Sequence, residues 1–497
     1  MIRVCTGKEK KAIDRYAIET LQVPSLSLME RAAMAVAREV KKEAPKSVIC
    51  VCGSGNNGGD GIAVARLLRN EGIDAEAIMI GRIDAATPEV LVQWEQAKEC
   101  EVNLYAELAG REIADFLSSY DLIVDAVFGI GLSREVNGSY AAWIEAMDAA
   151  GAPVIAVDIP SGIDAATGKV LGCAVHAKKT VTFGTSLIGL TVYPECLYAG
   201  QIVVEDIFPE EAMQTVRSQV YAASEEDFAW LPKRKAYSNK GTYGRVLVVA
   251  GSKESAGCAY LAAKAAYRMG AGLVKVLTHE VNRTIVGTLV PEALLSVYDD
   301  QAEAASLRSA FAWADAIVIG PGIGKTNFAA KLLTLALLEK KPTVVDADAI
   351  HLLKERQEGI PANVILTPHV KEMADFLGIS VREVAEDVRG VCERTAAENA
   401  GILVLKDART FVSDTEMVYI NTSGNDGMAT GGSGDVLAGM IGGLLAQKAE
   451  PMKAACLGVY LHGLAGDAAA KKRSRYAMLA GDLIDGIGDV LLQKGIQ

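Results

Sequence analysis

The 497-residue sequence lacks the apolar segments that direct a chain into or across a membrane. Its N-terminal stretch has no apolar core for a signal peptide, and Glu9, Asp14 and Glu19 argue against a transit peptide. No apolar run approaches the ~20 residues needed to span a bilayer. The net charge of −12 argues against a protein that coats nucleic acid or anionic lipid. We therefore expect a cytoplasmic protein without nucleic-acid or membrane partners.

Disulfide and zinc patterns are missing as well. The nine cysteines form no CxxC pair, and the closest two, Cys50 and Cys52, lie in an apolar run that we predict to be a buried strand. This distribution favours reduced thiols in a reducing compartment. The five histidines show no zinc-binding spacing, which argues against a transition-metal site.

The sequence does contain two series of short apolar runs separated by helical patterns, which predict parallel strands covered by helices on both faces. The first series comprises residues 47–52, 75–81, 121–129, 152–162, 178–184 and 201–207. The second comprises residues 245–252, 272–278, 316–322, 342–348, 363–369 and 401–407. Both series have the pattern of an α/β sandwich.

The pattern lapses between about residues 208 and 240, where the sequence is charged and weakly periodic. We place a domain boundary near 215–225 and take residues 1–215 and 216–497 as the two domains. Capping boxes, Thr6 with Glu9 and Ser27 with Glu30, predict the starts of the first two helices.

A glycine-rich segment, GSGNNGGDG at 53–61, follows the first predicted strand. It matches the GxGxxG pattern, so a dinucleotide-binding oxidoreductase is one interpretation. The acidic residue that binds ribose is missing, because the next strand runs into Gly81 and Arg82. No Lys-Ser/Thr follows the glycines, which excludes a Walker A loop. The polar residues Asn56, Asn57 and Asp60 instead indicate a binding site at this turn.

Asp125 and Asp158 lie near the ends of two further strands of the first series, and Ser161 lies close behind Asp158. Ligands of open α/β sheets bind at the carboxyl ends of strands, so these side chains are expected beside the glycine-rich turn. Such a group of oxygen atoms suits an alkali or alkaline-earth cation. The alternative is that both aspartates only cap the helices that follow them.

The segment GGSGD at 431–435 joins a flexible turn to an apolar helix and places Asp435 at the junction. The unpaired N–H groups of a helix start attract phosphate. A carboxylate there would repel phosphate, so we interpret Asp435 as a base that deprotonates a hydroxyl about to attack phosphorus. The alternative is a glycine turn before a packed helix.

Three more segments of the second half are candidates for ligand contact. Lys406, Arg409 and Thr410 follow a strand and offer donors to phosphates, although a hairpin turn with exposed charges has the same pattern. His369 ends a predicted strand, where a capping or surface histidine is the alternative. Glycines at 320, 322 and 324 allow a ligand to approach the backbone, or form an ordinary turn.

The motifs GSGNNGGDG, VDAVFGIGLSRE and VDIPSGID together resemble the NAD(P)H-hydrate epimerase family over roughly residues 1–215. The resemblance implies a Rossmann-like three-layer αβα sandwich in which Asn57, Asp125 and Ser161 bind K⁺. It implies Asp158 as the group that transfers protons. The hydrated nucleotide would be held by Asp158 and by two segments, Asn56, Asn57, Gly58, Gly59 and Asp60, and Gly129, Ile130, Gly131, Leu132, Ser133, Arg134 and Glu135.

KGTYGRVLVVAGS, GPGIG, LTPHVKEM, KDART and NDGMATGGSGD resemble, in this order, the ADP/ATP-dependent NAD(P)H-hydrate dehydratases of the ribokinase-like superfamily, over roughly residues 225–497. The resemblance implies that Asp435 acts as the base and that Mg²⁺ bridges the nucleotide phosphates. The hydrate would contact Cys258, Gly322, His369 and Asp435. The adenine nucleotide would be bound by Lys406, Asp407, Ala408, Arg409, Thr410 and Gly434.

Two residues depart from that family's pattern: Cys258 stands where a small alanine is expected, and Asp426 where proline is common. The combined resemblance implies a bifunctional enzyme that epimerises R and S NADHX or NADPHX and dehydrates the S form with ADP, or ATP, as phosphoryl donor. Alternatives are a vitamin-precursor kinase with a nucleotide-binding module, or an N-terminal half without catalytic activity. We also expect a homo-oligomer from the glycine-rich, apolar composition.

Overall fold

The computed structural model describes residues 1–106, 108, 112–193, 196–356 and 359–496. The chain divides into two compact units, one formed by Arg3–Ser218 and the other by Met1–Ile2 with Gln219–Gln497. The division thus falls a few residues after the 215/216 boundary drawn from the sequence. The guanidinium of Arg3 donates to the carbonyl of Val216 at 3.1 Å, and this bond keeps the residues just past 215 within the N-terminal unit.

The N-terminal unit is built on a parallel sheet of order β4-β3-β2-β5-β6-β7-β9, and β1 pairs separately with β8. In chain order the strands are β1 (Ile2–Cys5), β2 (Ser47–Cys52), β3 (Asp74–Met79), β4 (Leu104–Tyr105), β5 (Leu122–Ala126), β6 (Val154–Val157), β7 (Lys179–Phe183), β8 (Ser186–Leu187) and β9 (Gln201–Glu205). The helices are α1 (Gly7–Arg15), α2 (Ser25–Lys42), α3 (Asn56–Asn70), α4 (Pro88–Glu99), α5 (Ile113–Leu117), α6 (Gly138–Ala149), α7 (Cys196–Ala199) and α8 (Glu210–Met213).

Strand β2 shows how the sheet is covered on both faces. Val48, Cys50 and Cys52 pack into a core cluster that also contains residues of α2, α3 and α4. Ile49 and Val51, which alternate with them, pack into a second cluster with residues of α5 and α6. The continuous apolar sequence of a doubly covered strand is therefore divided between two helical layers.

The C-terminal unit has a sheet of order β13-β12-β11-β14-β15-β16-β17-β18-β19-β10. In chain order its strands are β10 (Val220–Ala222), β11 (Arg245–Val249), β12 (Leu273–His279), β13 (Leu294–Tyr298), β14 (Ala316–Ile319), β15 (Thr343–Val345), β16 (Val364–Leu366), β17 (Ile402–Leu405), β18 (Phe411–Ser413) and β19 (Val418–Ile420). The strands from β13 to β17 are parallel, whereas β18 pairs antiparallel with both β17 and β19.

The helices of this unit cover both faces of its sheet. They are α9 (Gly257–Arg268), α10 (Arg283–Leu289), α11 (Arg308–Trp313), α12 (Asn327–Leu338), α13 (Asp348–Glu355), α14 (Val370–Leu377), α15 (Val381–Glu386), α16 (Val388–Glu398), α17 (Ser433–Ala446), α18 (Pro451–Arg473) and α19 (Ala480–Gln493). In the described ranges no helix combines the length and apolarity required to cross a bilayer.

Most of the predicted strands are confirmed, and the differences have local causes. The box of Thr6 and Glu9 caps α1 as predicted. The capping box predicted for Ser27 and Glu30 is wrong, because both residues lie within α2. The helix already begins at Ser25, after Pro24, whose ring fixes a backbone angle compatible with a helix start. Seven short strands were not identified from the sequence, because each is only two to five residues long: β1, β4, β8, β10, β13, β18 and β19.

Helices α17 and α9 pack unusually closely, because α17 presents glycines to its neighbour. A Cβ atom on Gly439 would lie 2.2 Å from the carbonyl oxygen of Ala262, and one on Gly443 would lie 2.7 Å from that of Ala266. Since α17 begins with the GGSGD segment, this contact sets where Asp435 stands relative to the sheet.

We expect Gly439→Ala to destabilise the C-terminal unit by about 1–3 kcal/mol, because the added methyl group forces the two helices apart. The measurement is thermal or urea unfolding of the full chain. Gly488→Ala in α19 is the matched control, since its Cβ would meet no atom within 4 Å. That variant should gain roughly 0.5–1 kcal/mol from helix propensity. Equal stability of the two variants would contradict the close packing.

Candidate active sites

The N-terminal unit holds a cavity of about 510 Å³ at the carboxyl ends of β2, β5 and β6. Its wall is formed by residues 54–57 after β2, by residues 127–134 after β5, by Asp158 after β6, and by side chains of α1 and α2. Strand ends approach closely here: a Cβ on Gly53 would lie 2.1 Å from the carbonyl oxygen of Val127. Only glycine at 53 permits this approach, so the first glycine of the GxGxxG pattern has a packing role.

Helix α3 begins at Asn56 with Gly55 as its N-cap, and no side chain caps its first N–H groups. Asn56, Asn57 and Asp60 line the cavity as predicted. Gly58 and Gly59 do not. A Cβ on Gly58 would lie 1.8 Å from the carbonyl oxygen of Gly53, and one on Gly59 would meet the side chain of Met29. These two glycines let the helix start pack against its neighbours rather than line the cavity.

The loop after β5 also follows the prediction except at its end. Gly129, Ile130, Gly131, Leu132, Ser133 and Arg134 line the cavity. Glu135 is exposed and lies outside the cavity wall, because the loop turns away before the buried Val136.

Asp158 is held in an unusual backbone conformation, with a φ of 67°. A non-glycine residue in this left-handed region costs of order 1–3 kcal/mol. Its Oδ1 accepts a hydrogen bond from Thr182 Oγ1 at 2.9 Å. It also forms a buried ion pair with the ammonium of Lys10, which donates to Thr182 as well. The carboxylate at this strand end is therefore anchored through one of its two oxygens.

Asp125 and Ser161 are in direct contact. Asp125 is fully buried, and its carboxylate accepts from the amide of Ser161 at 2.7 Å and from its hydroxyl at 2.6 Å. Ser161 Oγ in turn accepts from the amide of Phe128 at 2.8 Å. Asn57 lies beside Gly129, the residue that follows Phe128, since a Cβ on Gly129 would be 3.4 Å from Asn57 Oδ1. The three residues named from the sequence thus surround the same turn.

These contacts leave the charge of Asp125 without a cationic partner. Burial raises its pKa to about 6, although the hydrogen bonds from Ser161 oppose this shift. The amide nitrogen of Asn57 is buried without a hydrogen-bond partner. Within the described ranges, no three His, Cys, Asp or Glu side chains cluster as a metal site would require. The available donors are oxygen atoms of one carboxylate, one hydroxyl and one amide, a set that suits a hard monovalent cation.

Two more carboxyl groups line the same cavity. Burial, followed by the charges of Asp158 and Asp14, raises the pKa of Asp60 well above its usual range. Burial and the charges of Asp158 and Glu89 likewise raise the pKa of Asp14. The cavity is therefore lined by carboxyl groups next to Asp158, and the raised pKa values favour the protonated forms of Asp14 and Asp60.

In the C-terminal unit, Asp435 occupies the first turn of α17, whose N-cap Gly432 has a φ of 92° and offers no side chain. Burial, followed by the charge of Asp346, raises the pKa of Asp435 to about 7, against the opposing charge of Lys406. A carboxyl group with a pKa near neutrality is suited to accept and release a proton at neutral pH.

Lys406 and Asp346 form a buried ion pair next to Asp435. The ammonium of Lys406 lies 2.8 Å from Asp346 Oδ1, which also accepts from Thr367 Oγ1 at 2.7 Å. Burial alone would lower the pKa of Lys406, but the charges of Asp346 and Glu372 outweigh it and raise that pKa. A Cβ on Gly434 would lie 3.2 Å from the ammonium, so the helix start sits directly above the pair.

His369 is a capping residue, the alternative that the sequence left open. Its Nδ1 accepts from the amides of Lys371 and Glu372 at 3.1 and 3.2 Å and caps α14. Its backbone also forms a bridge with Lys406, which places it at the edge of the same site. Because Nδ1 is an acceptor, a neutral ring carries its proton on Nε2.

Gly322 and Cys258 are neighbours as expected. Gly322 has a φ of 60°, and a Cβ there would lie 2.7 Å from Cys258 Sγ and from Ser255 Oγ. The Cys258 thiol lies 3.2 Å from the Ser255 hydroxyl. Burial raises the pKa of this thiol, and the charge of Asp435 adds to the shift, so the two glycine-rich loops meet near Asp435.

Residues Lys406–Thr410 form the turn between β17 and β18, so the hairpin geometry is confirmed. Asp407 Oδ1 accepts from the amide of Ala408 at 2.8 Å, and Arg409 donates to the carbonyl of Thr422 at 2.5 Å. The Thr410 hydroxyl donates to the carbonyl of Asp407 at 3.4 Å. Asp426, the second departure, is exposed and lies 3.3 Å from Arg475.

The model of the NAD(P)H-hydrate dehydratase family matches residues 246–488, and the model of the YjeF-related protein N-terminus matches residues 25–189. The bifunctional NAD(P)H-hydrate repair enzyme of Moorella thermoacetica is 37% identical over 98% of this chain and 96% of its own length. The enzyme of the same description from Escherichia coli is 36% identical over 95% of this chain and 90% of its own.

The chain belongs to the family of bifunctional NAD(P)H-hydrate repair enzymes.

Solved structures agree with the predicted fold. A ribokinase-like superfamily protein from Enterococcus faecalis is 28% identical and covers 57% of this chain and 99% of itself, with a TM-score of 0.52. The ADP/ATP-dependent NAD(P)H-hydrate dehydratase of Bacillus subtilis, co-crystallised with ATP/Mg²⁺, is 30% identical and covers 57% of this chain and 100% of itself, with a TM-score of 0.50. The predicted fold class and the two-domain repair-enzyme assignment are confirmed.

The same findings decide between the interpretations of the glycine-rich motifs. GSGNNGGDG belongs to the YjeF-related match, not to a dinucleotide-binding oxidoreductase, and GGSGD belongs to the dehydratase match rather than to a vitamin-precursor kinase. The chain is thus an enzyme with an epimerase and a dehydratase domain.

Lys10, Thr182, Asp346 and His462 are among the polar residues at these sites that were not identified from the sequence. Asp346 had an available signal, because it directly follows β15 as Asp158 follows β6. The other three reach the sites from α1, β7 and α18, where nothing in the local sequence marks them. His462 lies 3.4 Å from Ser433 Oγ, under the start of α17.

We expect the imidazole of His462 to remain neutral down to about pH 4. Burial, with the positive charge of Lys406, lowers its pKa to about 4 from an ordinary 6.5. Because the folded pKa is depressed, this group contributes stability that is present above pH 6.5 and is lost as pH falls towards 4. The measurement is an NMR titration of ¹⁵N-histidine-labelled protein, in which the signal must vanish in His462→Gln. Titration of this ring near its ordinary value would contradict the assignment.

Proposed function

We propose that the N-terminal unit epimerises the hydrate with Asp158 as the proton-transferring group, and that the C-terminal unit dehydrates the S epimer with Asp435 as the base. The observation that carries the second assignment is the position of Asp435. It stands in the first turn of α17, with a pKa of about 7, beside the buried pair of Lys406 and Asp346. A carboxyl group with this pKa accepts a proton at neutral pH and releases it afterwards.

In the dehydratase step, Asp435 takes the proton of the ring hydroxyl as that oxygen bonds to the terminal phosphorus of the nucleotide, whose bridging P–O bond breaks. The phosphorylated hydrate then loses phosphate by cleavage of its C–O bond, driven by the lone pair of the ring nitrogen. Loss of a proton from the neighbouring ring carbon restores the dihydronicotinamide. Asp435 thus removes the proton that would otherwise make the hydroxyl a poor nucleophile.

The adenine nucleotide is assigned to the turn of Lys406, Asp407, Ala408, Arg409 and Thr410 and to Gly434. The backbone N–H groups at the start of α17 and the ammonium of Lys406 are suited to bind phosphate. ADP or ATP serves as donor, in line with the B. subtilis relative. Mg²⁺ would be held by the phosphates with at most one or two carboxylates, which fits the lack of a carboxylate cage in the described residues. Bound there, it would neutralise phosphate charge.

The hydrate itself is assigned to Cys258, Gly322, His369 and Asp435. Gly322 leaves room next to the thiol of Cys258, since even a methyl group would collide with it. His369 presents Nε2 as a donor, because capping α14 occupies Nδ1. The thiol in place of the expected alanine narrows the space beside the substrate.

In the epimerase, the uncapped start of α3 at Asn56 and Asn57 and the loop of residues 129–134 are assigned to the nucleotide. The substrate carries a hydroxyl on a ring carbon next to nitrogen. With Asp158 moving the proton, water leaves and adds back to the other face, or the ring opens and closes. Either route inverts this carbon. Gly58 and Gly59 support the helix start, and Glu135 has no contact with the cavity.

K⁺ is assigned to Asn57, Asp125 and Ser161, and the residues fit it. Asp125 is a buried carboxylate whose contacts are all neutral donors, so a cation would offset its charge. When bound, K⁺ would supply a positive charge at the turn between β5 and the substrate loop. We also propose a cytoplasmic location, because none of the nine cysteines forms a disulfide in the described chain. A homo-oligomer remains a prediction.

We expect the purified chain, given an R/S mixture of NADH hydrate with Mg²⁺, K⁺ and ADP or ATP, to restore the near-ultraviolet absorbance of reduced nicotinamide completely. Asp158→Asn should stop near the S fraction, and Asp435→Asn should slow recovery by about 10²–10⁴-fold while epimerisation continues. The activity that each variant retains shows that its unaltered unit is folded, and thermal unfolding compared with wild type reports on the altered unit.

Parallel incubations with ADP and with ATP identify the donor, and chromatography of the two epimers follows the first step alone. The rate on pure S hydrate should rise with pH around 7, because Asp435 must be ionised to act as base. A stable phosphorylated product would contradict the dehydratase mechanism. Full recovery by Asp158→Asn at the wild-type rate would contradict its catalytic role.

We expect K⁺ to raise the Tm of the full chain at pH 8 by about 2–4 °C for each kcal/mol of binding energy. The effect should shrink at pH 5, because Asp125, with a pKa of about 6, is then protonated. Asp125→Asn should abolish the K⁺ effect at both pH values. The measurement is thermal unfolding in KCl against equal concentrations of LiCl and choline chloride. Equal shifts with all three salts would show that the site does not select K⁺.

A further inference from the structure

The ion pair of Lys10 and Asp158 is a feature of the epimerase unit that neither the motifs nor the assigned roles include. Lys10 is only 3% exposed, although it lies on α1, about 150 residues before its partner in the chain. A lysine is rarely buried unless it is paired, because moving its ammonium group out of water costs on the order of several kcal/mol. Its burial therefore points to the carboxylate it meets.

The contacts of Lys10 and Thr182 all converge on one oxygen of Asp158. The ammonium donates to Asp158 Oδ1 and to Thr182 Oγ1, and the Thr182 hydroxyl donates to the same Oδ1 at 2.9 Å. The described residues offer no hydrogen bond to Oδ2. Both Lys10 and Asp158 line the cavity of about 510 Å³. One oxygen is thus anchored while the other remains for a ligand.

The carboxyl groups around Asp158 disfavour its negative charge, and the contact with Lys10 offsets this effect. The titratable and charged groups that face the pair are Cys5 on β1, Lys11 and Asp14 on α1, Asp60 on α3, Glu89 on α4 and Arg134 in the loop after β5. Asp14, Asp60 and Glu89 are negative when ionised and oppose a further negative charge at Asp158. Lys10 is the cation in direct contact with it.

We infer that Lys10 is a positioning residue for epimerisation: its ammonium, in contact with Oδ1, holds the carboxylate of Asp158 so that Oδ2 serves the substrate. The inference rests on the proposed role of Asp158 in proton transfer. Lys10 reaches the reaction through Asp158, and Thr182 completes the anchor. Helix α1 is held in place for this contact by the capping box of Thr6 and Glu9.

The test is Lys10→Met, which keeps the length of the side chain and removes its charge. We expect kcat for conversion of R to S hydrate to fall roughly 10- to 100-fold with little change in KM, less than the about 10²–10⁴-fold loss expected for Asp158→Asn. The pH profile of kcat should change as well, because the substitution removes the positive charge in contact with the Asp158 carboxylate. Lys10→Arg should recover part of the rate.

Two controls separate this role from a structural one. Lys8→Met makes the same substitution at an exposed position of α1, outside the cavity wall, and should leave epimerisation unchanged. Thermal unfolding of the same Lys10→Met protein, compared with wild type, reports whether the N-terminal unit is folded. If Lys10→Met kept the wild-type kcat and pH profile, the inference would be overturned.

Other outcomes are equally decisive. A rise in KM alone would make Lys10 a substrate-binding residue. An equal loss of rate at every pH, without recovery in Lys10→Arg, would make it a packing residue. If Asp158→Asn also epimerised at the wild-type rate, the proposed role of Asp158 would fail together with that of Lys10. If epimerisation were lost in Asp158→Asn but unchanged in Lys10→Met, the role of Lys10 would be disproved and the proposed role of Asp158 would stand.

Discussion

A buried lysine–aspartate pair stands at the carboxyl end of the sheet in each unit: Lys10 with Asp158, and Lys406 with Asp346. Burying either charge alone would cost on the order of several kcal/mol, because the charged group loses its hydration. Paired, the two charges can be kept away from water at the strand ends, where ligands of α/β sheets bind. The charge distribution of both sites depends on these two contacts.

The two units use the pair differently. In the C-terminal unit the pair lies beside the proposed base: Asp346 raises the pKa of Asp435 to about 7 after burial, and Lys406 limits the rise. In the N-terminal unit Asp158 is itself a member of the pair, and the unpaired carboxyl groups Asp14 and Asp60 surround it. Among the described residues Asp435 has no ion-pair partner, whereas Asp158 is anchored through one oxygen by Lys10 and Thr182.

Close backbone approach is the second constraint on both sites. Gly53 lies against the carbonyl of Val127, and Gly439 brings α17 onto α9. These contacts leave no room for a side chain, so the helix starts at Asn56 and Ser433 reach the ends of the sheets. The glycine-rich motifs therefore carry two kinds of information, since some glycines line a site and others, such as Gly58 and Gly59, bring its walls together.

Much of this arrangement could be read from the sequence, because it depends on local order. Alternating apolar runs and helical patterns predict parallel sheets. Asp125 lies near the end of a strand, Asp158 directly after one, and Asp435 just after a glycine turn. Their position at a site follows from topology alone. His369 was ambiguous, because the same residue at a strand end caps a helix or faces a ligand, and here it caps α14 beside Lys406.

The partners of these residues depend on folding. Lys10 and Asp158 are far apart in the chain, and so are Asp346 and Lys406, so no local pattern links them. Such contacts form only when helices pack on a closed sheet, and burial then sets the charges, as for His462 under the start of α17. Motif order thus predicts which side-chain atoms lie at the sites. The protonation states of those atoms follow from packing, since solvent exclusion and neighbouring charges exist only in the folded units.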